Sequence, residues 1–335
     1  MQGIKRGKIF SRERVDLSEV IPLKVPFSIQ IDVCSACNMK CDFCFHSDLE
    51  SIKRNKVEFG MMSYETFTKV IDNIKKTSES KIKKLKLFKI GEPLLNTELP
   101  KMIQYVKESD IAEIIEITSN GTLLTPKLTD QLIEAGLNIL NISVNAIDEM
   151  EYKRKIPKGT FEEYVNNIDY FYKNKGQCIL TLKYSNNDAG KNEKDKFYNI
   201  FQDKCDELFV EDLLPSLWQD TNISEKVKDL QTGLYGQKRD NKLVCPFLFT
   251  TLVINHKGIA HLCCVDWKSE YLLGDMTKET LKDVWEGNRL RSYQIIHLNK
   301  EKENIEICRN CESLNSSTTD NIDKDAERIL KKIRN

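Results

Sequence analysis

Short apolar runs rich in β-branched residues alternate with amphipathic stretches through the first two-thirds of the chain. The runs FSIQIDV (27–33), KLKLFKI (84–90), EIIEITS (113–119), NILNISV (138–144), CILTLKY (178–184) and ELFVEDL (207–213) read as strands. Between them, MSYETFTKVIDNIKK, TELPKMIQYVKES, TPKLTDQLIEAG, TFEEYVNNIDYFYKN and EKDKFYNIFQDK repeat apolar residues at helical spacing. This alternation predicts an α/β fold with a parallel sheet and helices outside; in barrel form it places a site at the carboxyl ends of the strands.

The pattern changes after residue 215. SLWQDTNISEKVKDLQTGLYGQKRDNK (216–242) is polar, has no regular apolar period and reads as a bridge. Apolar runs flank NHKG in CPFLFTTLVINHKGIAHLCC, which predicts two strands joined by a turn, and TKETLKDVWEGNRLRSYQIIHL reads as helical. The expected layout is an amino-terminal extension (1–23), a core barrel (24–215), the bridge (216–242), a cysteine-rich unit (243–315) and a tail (316–335). The tail reads as a loop and a terminal helix whose charges form a solvated face.

At 335 residues the chain can bury a large core. Lys plus Arg equals Asp plus Glu at 51 each, so no basic surplus points to nucleic acid or to a membrane surface as partner. The basic amino terminus lacks the apolar stretch of a secretory signal and no segment approaches a membrane span, which predicts a cytoplasmic protein. In that reducing compartment, clustered cysteines are metal ligands or catalytic thiols rather than disulfides. Isolated Cys178 and Cys205 fit buried, inert thiols.

Four of the 11 cysteines fall within DVCSACNMKCDFCFHS, immediately after the first predicted strand. Cys37, Cys41 and Cys44 form C-x3-C-x2-C, with Cys34 three residues upstream. Zinc ribbons pair thiols as two C-x2-C units, so this unequal triplet suits zinc poorly, whereas iron–sulfur clusters are held by closely spaced thiolates on a loop. Three ligands leave one iron of a four-iron cluster without a protein thiolate, and an open position is what a catalytic metal site keeps.

CNMKCDFC resembles the signature of the radical S-adenosylmethionine (SAM) enzymes, with Phe43 at the aromatic position. The resemblance implies a partial (β/α)6 TIM-like barrel and a SAM-binding 4Fe–4S cluster on Cys37, Cys41 and Cys44, with Cys34 outside the ligand set. It implies reductive cleavage of SAM to a 5′-deoxyadenosyl radical that takes a hydrogen atom from a substrate. Phe43 would lie beside the adenine. Gly91-Glu92-Pro93 resembles the family's Gly-Gly-Glu-Pro, with Ile90 in place of the first glycine, so Gly91 and Glu92 would receive the SAM amino group. TSNGTLLT and ISVNAID resemble the family's Thr-x-Asn-Gly and Ser-x-Asp, so Asn120 would contact SAM or simply form an Asn-Gly turn, and Ser143 and Asn145 would meet the ribose or the methionyl carboxylate, Asn145 standing where an acid is more common. Lys183, near the end of the fifth strand, is a further carboxylate partner or a solvated lysine.

Toward the carboxyl terminus, Cys245 and Cys263 would meet at the hairpin base, and Cys308 and Cys311 complete four thiolates, which alone suit zinc or iron–sulfur equally. The spacing C-x12-G-x4-C, then LGDM, LKDVW and a late C-x2-C, resembles the SPASM extension of many radical SAM enzymes. That resemblance implies one auxiliary 4Fe–4S cluster, closed by four protein ligands and suited to electron transfer. On a strand, Cys264 would face away from Cys263, as a packed thiol or a hydrogen-atom donor to a substrate radical.

The resemblance implies a radical SAM oxidoreductase served by a low-potential electron donor such as flavodoxin or ferredoxin. Two substrate classes compete: a sugar, aminocyclitol or other small molecule, and a peptide or protein that is oxidised, crosslinked or epimerised. FCFHSD is reminiscent of members associated with glycan loci, and fewer than 30 residues precede the barrel, which leaves no room for a leader-gripping domain; both lean toward the small substrate. A metal-binding scaffold without turnover is the non-enzymatic reading.

Overall fold

The computed structural model describes residues 4–5, 15–77, 80–156, 158–185, 191–213, 218–223 and 232–334. Its strands are β1 (Ile4–Lys5), β2 (Ser28–Ile31), β3 (Ile82–Lys86), β4 (Ala112–Ser119), β5 (Ile139–Val144), β6 (Ile179–Ser185), β7 (Glu207–Glu211), β8 (Thr251–Ile254), β9 (Ile259–His261) and β10 (Leu272–Asp275). They form one sheet in the order β1-β7-β6-β5-β4-β3-β2-β8-β9-β10. Strands β2 to β7 pair in parallel, neighbour to neighbour, as in a partial TIM-like barrel.

The helices start where the sequence supplies caps. Ser63, Thr125 and Thr160 accept hydrogen bonds from the first-turn amides of Tyr64–Lys75, Pro126–Glu134 and Phe161–Asn174, and Glu163 completes a capping box with Thr160. Their apolar faces cover one face of the sheet, where Ile29, Leu85, Ile117, Leu140, Leu182 and Leu208 are fully buried.

The other face is polar. Register places Gln30 beside Lys86, Lys86 beside Glu116, Thr118 beside Asn141, Asn141 beside Thr181, Ser143 beside Lys183 and Ser185 beside Glu211. Because side chains alternate with period two, these residues share the inner face. A closed TIM barrel fills that space with branched aliphatic side chains; this one lines it with hydrogen-bonding groups.

Two expectations need correction. The second strand ends at Lys86 rather than 90, because the chain turns where Gly91 passes against the cysteine loop. The cysteine-rich segment does form the expected hairpin, β8 with β9, turning at Gly258 (φ +81°), but β8 also pairs in parallel with β2, so this segment continues the barrel sheet. The terminal helix Ala326–Arg334 forms as expected, with Glu327, Arg328, Lys331, Lys332 and Arg334 exposed; its other face buries Ile329 and Ile333, and Lys332 Nζ donates to Ser18 O and Glu19 O at 3.1 Å. Of the bridge, residues 218–223 and 232–242 are described; 216–217 and 224–231 lie outside the described residues.

Candidate active site

The cysteine loop leaves the end of β2 and is held from several sides. Asn38, between Cys37 and Cys41, donates to Thr122 Oγ1 and accepts from Asn120 Nδ2, both at 2.8 Å. Glu92 N donates to Ala36 O at 2.8 Å. Ser35 Oγ accepts from Gly60 N at 2.8 Å and lies 3.1 Å from His256 Nδ1 in the β8–β9 turn. The ends of β3 and β4 and the hairpin turn thus frame the loop.

Cys37, Cys41 and Cys44 are electrostatic neighbours. Burial pushes Cys41 and Cys44 up to about 12, and the nearby thiols add to the shift; burial also raises Cys37. A metal that takes the thiolate removes this cost of ionisation. Cys34 is set apart: it is 1% exposed and its Sγ donates to Ala36 O at 3.5 Å.

The second set gathers the same way. Cys245 is raised by burial and by Cys311 and Cys308, and burial pushes Cys308 up to about 12. Cys263 is raised first by the adjacent Cys264 thiol, then by burial, with Cys245 and Cys311 nearby. Strand β9 ends at His261, so the vicinal cysteines lie beyond it and not on a strand, the geometry on which the expected opposite facing rests. The two thiols are neighbours that shift each other's ionisation, and Lys86 and Lys89 on the barrel side stand near Cys264.

Among the described residues, no three His, Cys, Asp or Glu side chains converge tightly enough to hold a single ion. The donors are nonetheless soft, half-buried thiols grouped on loops, the ligand chemistry of iron–sulfur clusters. The two sets fit one cluster each, the first with three thiols and the second with four plus Cys264.

The other predicted residues are placed as follows. Glu92 is 2% exposed; Oε1 accepts from Leu94 N at 2.9 Å and Ser119 Oγ at 2.7 Å, and Oε2 from Asn120 N at 2.7 Å. Burial pushes its carboxyl up to about 7 against these three donors. A Cβ on Gly91 would lie 2.2 Å from Cys34 O and 2.4 Å from Ala36 O, so its close approach is to the cysteine loop. Asn145 Nδ2 donates to Ser143 O at 3.0 Å and lies 4.0 Å from Met39 Sδ. Phe43 is half-buried, and its carbonyl accepts from Trp218 Nε1 at 3.1 Å.

Glu92, Asn120 and Asn145 therefore meet at the cysteine loop. Lys183 does not join them: its Nζ donates to Glu211 Oε1 at 2.6 Å, and Ser185 Oγ reaches the same oxygen at 2.7 Å. Sequence reasoning missed Asn38, Ser119, Ser185 and Glu211. The last two were visible as polar positions at period two in LTLKYS and ELFVED; Asn38 carried no signal of its own.

A partial parallel barrel with a three-thiol loop at its first strand end and a second thiol set on the continued sheet defines a radical SAM protein with a SPASM domain. The chain belongs to this superfamily: the Radical SAM superfamily pattern matches residues 31–187, and that of the SPASM iron–sulfur cluster-binding domain matches 245–312. Its family cofactors are SAM and 4Fe–4S clusters. A probable GTP 3′,8-cyclase of Methanococcus maripaludis is 32% identical over 142 residues, 42% of this chain and 44% of that protein. The chain thus spans less than half the length of such relatives. BtrN, solved with AdoMet and 2-DOIA, superimposes with a TM-score of 0.56 at 15% identity over 89% of this chain and 98% of BtrN. Streptococcus suis SuiB bound to its precursor peptide SuiA gives 0.58 at 15% identity over 82% of this chain and 67% of SuiB. At such identities these likenesses show the fold. No described helix is long and apolar enough to cross a membrane.

Proposed function

We propose that this protein is a radical SAM enzyme that takes a hydrogen atom from a polyhydroxylated small molecule of the sugar or aminocyclitol kind. The observation that carries the substrate class is the polar inner face of the barrel. Glu116, Thr118, Asn141, Thr181, Lys183, Ser185 and Glu211 offer acceptors and donors of both charge signs, a lining suited to hydroxyl and amino groups rather than to an apolar side chain.

When bound, the cluster and SAM supply a 5′-deoxyadenosyl radical. Cys37, Cys41 and Cys44 would hold the cluster. Asn120, through Asn38, and Glu92, through Ser119 and the Asn120 amide, keep the loop in register with the ends of β3 and β4. The Lys183–Glu211–Ser185 group lies farther along the inner face and would orient the substrate. The four later thiols would hold the auxiliary cluster. A low-potential donor such as flavodoxin or ferredoxin completes the proposed system.

The test is anaerobic reconstitution, reduction and incubation with SAM and deuterated amino sugars, aminocyclitols and peptides. Deuterium in 5′-deoxyadenosine from a polyol, absent with Cys37→Ala/Cys41→Ala/Cys44→Ala, is expected. Transfer from peptides alone would replace this reading with peptide maturation, as the likeness to SuiB allows.

A further inference from the structure

The bridge contains a short segment that touches both cysteine sites. Trp218 Nε1 donates to the carbonyl of Phe43, the residue before Cys44, at 3.1 Å. The next residue, Gln219, donates through Nε2 to the carbonyl of Ile307, the residue before Cys308, at 3.0 Å. Trp267, in the turn that follows Cys263 and Cys264, returns its indole N–H to the Gln219 carbonyl at 3.0 Å. Phe45, on the other side of Cys44, packs between the two indoles, with ring centroids 4.9 Å from each.

The segment is anchored on both sides beyond these bonds. Asn222 N donates to Asp48 Oδ2 at 2.7 Å, on the side of the first cysteine loop. Asp220 pairs with Arg54 at 3.1 Å on that side and with Lys268 at 3.4 Å on the other. Phe45 is 0% and Trp267 2% exposed, so the ring contacts are made out of water, where hydrogen bonds and packing count most.

We propose that residues 218–223 are a strut that couples the two cluster sites, with Trp218 and Gln219 as positioning residues for the loops of Cys44 and Cys308. Two hydrogen bonds and one peptide unit connect the backbone next to a ligand of one site to the backbone next to a ligand of the other. A change in order at either loop is then felt at the other. The proposal rests on the reading that both thiol sets hold clusters, and parent iron content tests that reading separately. A chain of contacts is not itself coupling, so the evidence must be a non-additive effect.

The experiment uses the anaerobically reconstituted full chain and reads iron release to a chelator and the electron paramagnetic resonance of each reduced cluster. Trp218→Phe keeps an aromatic ring against Phe45 and removes the bond to Phe43; Gln219→Ala removes the bond to Ile307. Expected results are that Trp218→Phe alters the auxiliary signal as well as the SAM-cluster signal, and that the double variant departs from the product of the single effects by about fivefold or more in iron release. In parallel, Cys308→Ala/Cys311→Ala should speed iron loss from the remaining site by a similar factor. Effects confined to the adjacent cluster, multiplicative in the double variant, and an unchanged first site without the auxiliary thiols would overturn the strut. A parent chain without iron at either set would instead overturn the cluster reading beneath it.

Discussion

Asn120 donates its side-chain amide to Asn38 Oδ1 at 2.8 Å, tying the end of β4 to the loop between Cys37 and Cys41. Asn120 Oδ1 is used as well, accepting from Thr122 N at 2.9 Å and Thr122 Oγ1 at 2.7 Å. Asn120→Ala leaves several of these groups unmatched beside the cysteine loop, at a cost of about 1–3 kcal/mol. The expected outcome is faster iron loss from the first site than from the auxiliary site, measured by chelator challenge. Equal loss from both sites would show a global defect instead.

Gly91→Ala should be among the most damaging single methyl additions in the chain. The new Cβ would meet backbone carbonyl groups at 2.2 and 2.4 Å, and backbone cannot swing aside as a flexible side chain can. A loss of about 3 kcal/mol is expected in urea unfolding of the apoprotein. A change below about 0.5 kcal/mol would mean that the cysteine loop is free to move.

Asp32 supplies a pH test. Burial pushes its carboxyl up from 3.8 to about 7, opposed by the Lys89 charge and backbone hydrogen bonds, and its Oδ1 is buried without a partner. Between those values the folded chain keeps a proton that the unfolded chain releases, so stability from this group is full below about pH 4 and falls as pH rises through 7. The fall amounts to about 4 kcal/mol at completion. Asp32→Asn mimics the protonated form and should remove this component, so the variant gains on the parent between pH 5 and pH 8. Parallel curves for the two proteins would refute the assignment.

Glu211→Gln keeps the shape of the carboxylate and removes its charge beside Lys183. A weakening of polyol-dependent 5′-deoxyadenosine formation by about tenfold in KM is expected, with SAM binding unchanged. Loss of SAM binding would move the Lys183–Glu211 pair to the cofactor.

Iron counting separates the two thiol sets. The parent should carry about eight irons, and Cys37→Ala/Cys41→Ala/Cys44→Ala should remove about four. Cys263→Ala should lose auxiliary iron and Cys264→Ala keep it. Because the two thiols are adjacent beyond the end of β9, the opposite result would identify Cys264 as the ligand.

The sequence by itself determined the alternation that makes a parallel barrel, the hairpin around Gly258 and the three-thiol loop. Each is written in contiguous residues: period-two and helical-period apolar positions, a turn glycine, and a cysteine spacing. It did not reveal that β8 pairs with β2, because strand partnership over more than 200 residues is settled by which edges remain unpaired once the barrel has formed. Only the tertiary structure decided that Glu92 and Asn120 spend hydrogen bonds on the cysteine loop and that Lys183 turns to Glu211. It also gave Trp218 and Gln219, within a stretch that reads as featureless, a contact with each cysteine site. Such partners come from different strand ends and loops, and their choice follows from burial, which leaves no donor or acceptor the option of water.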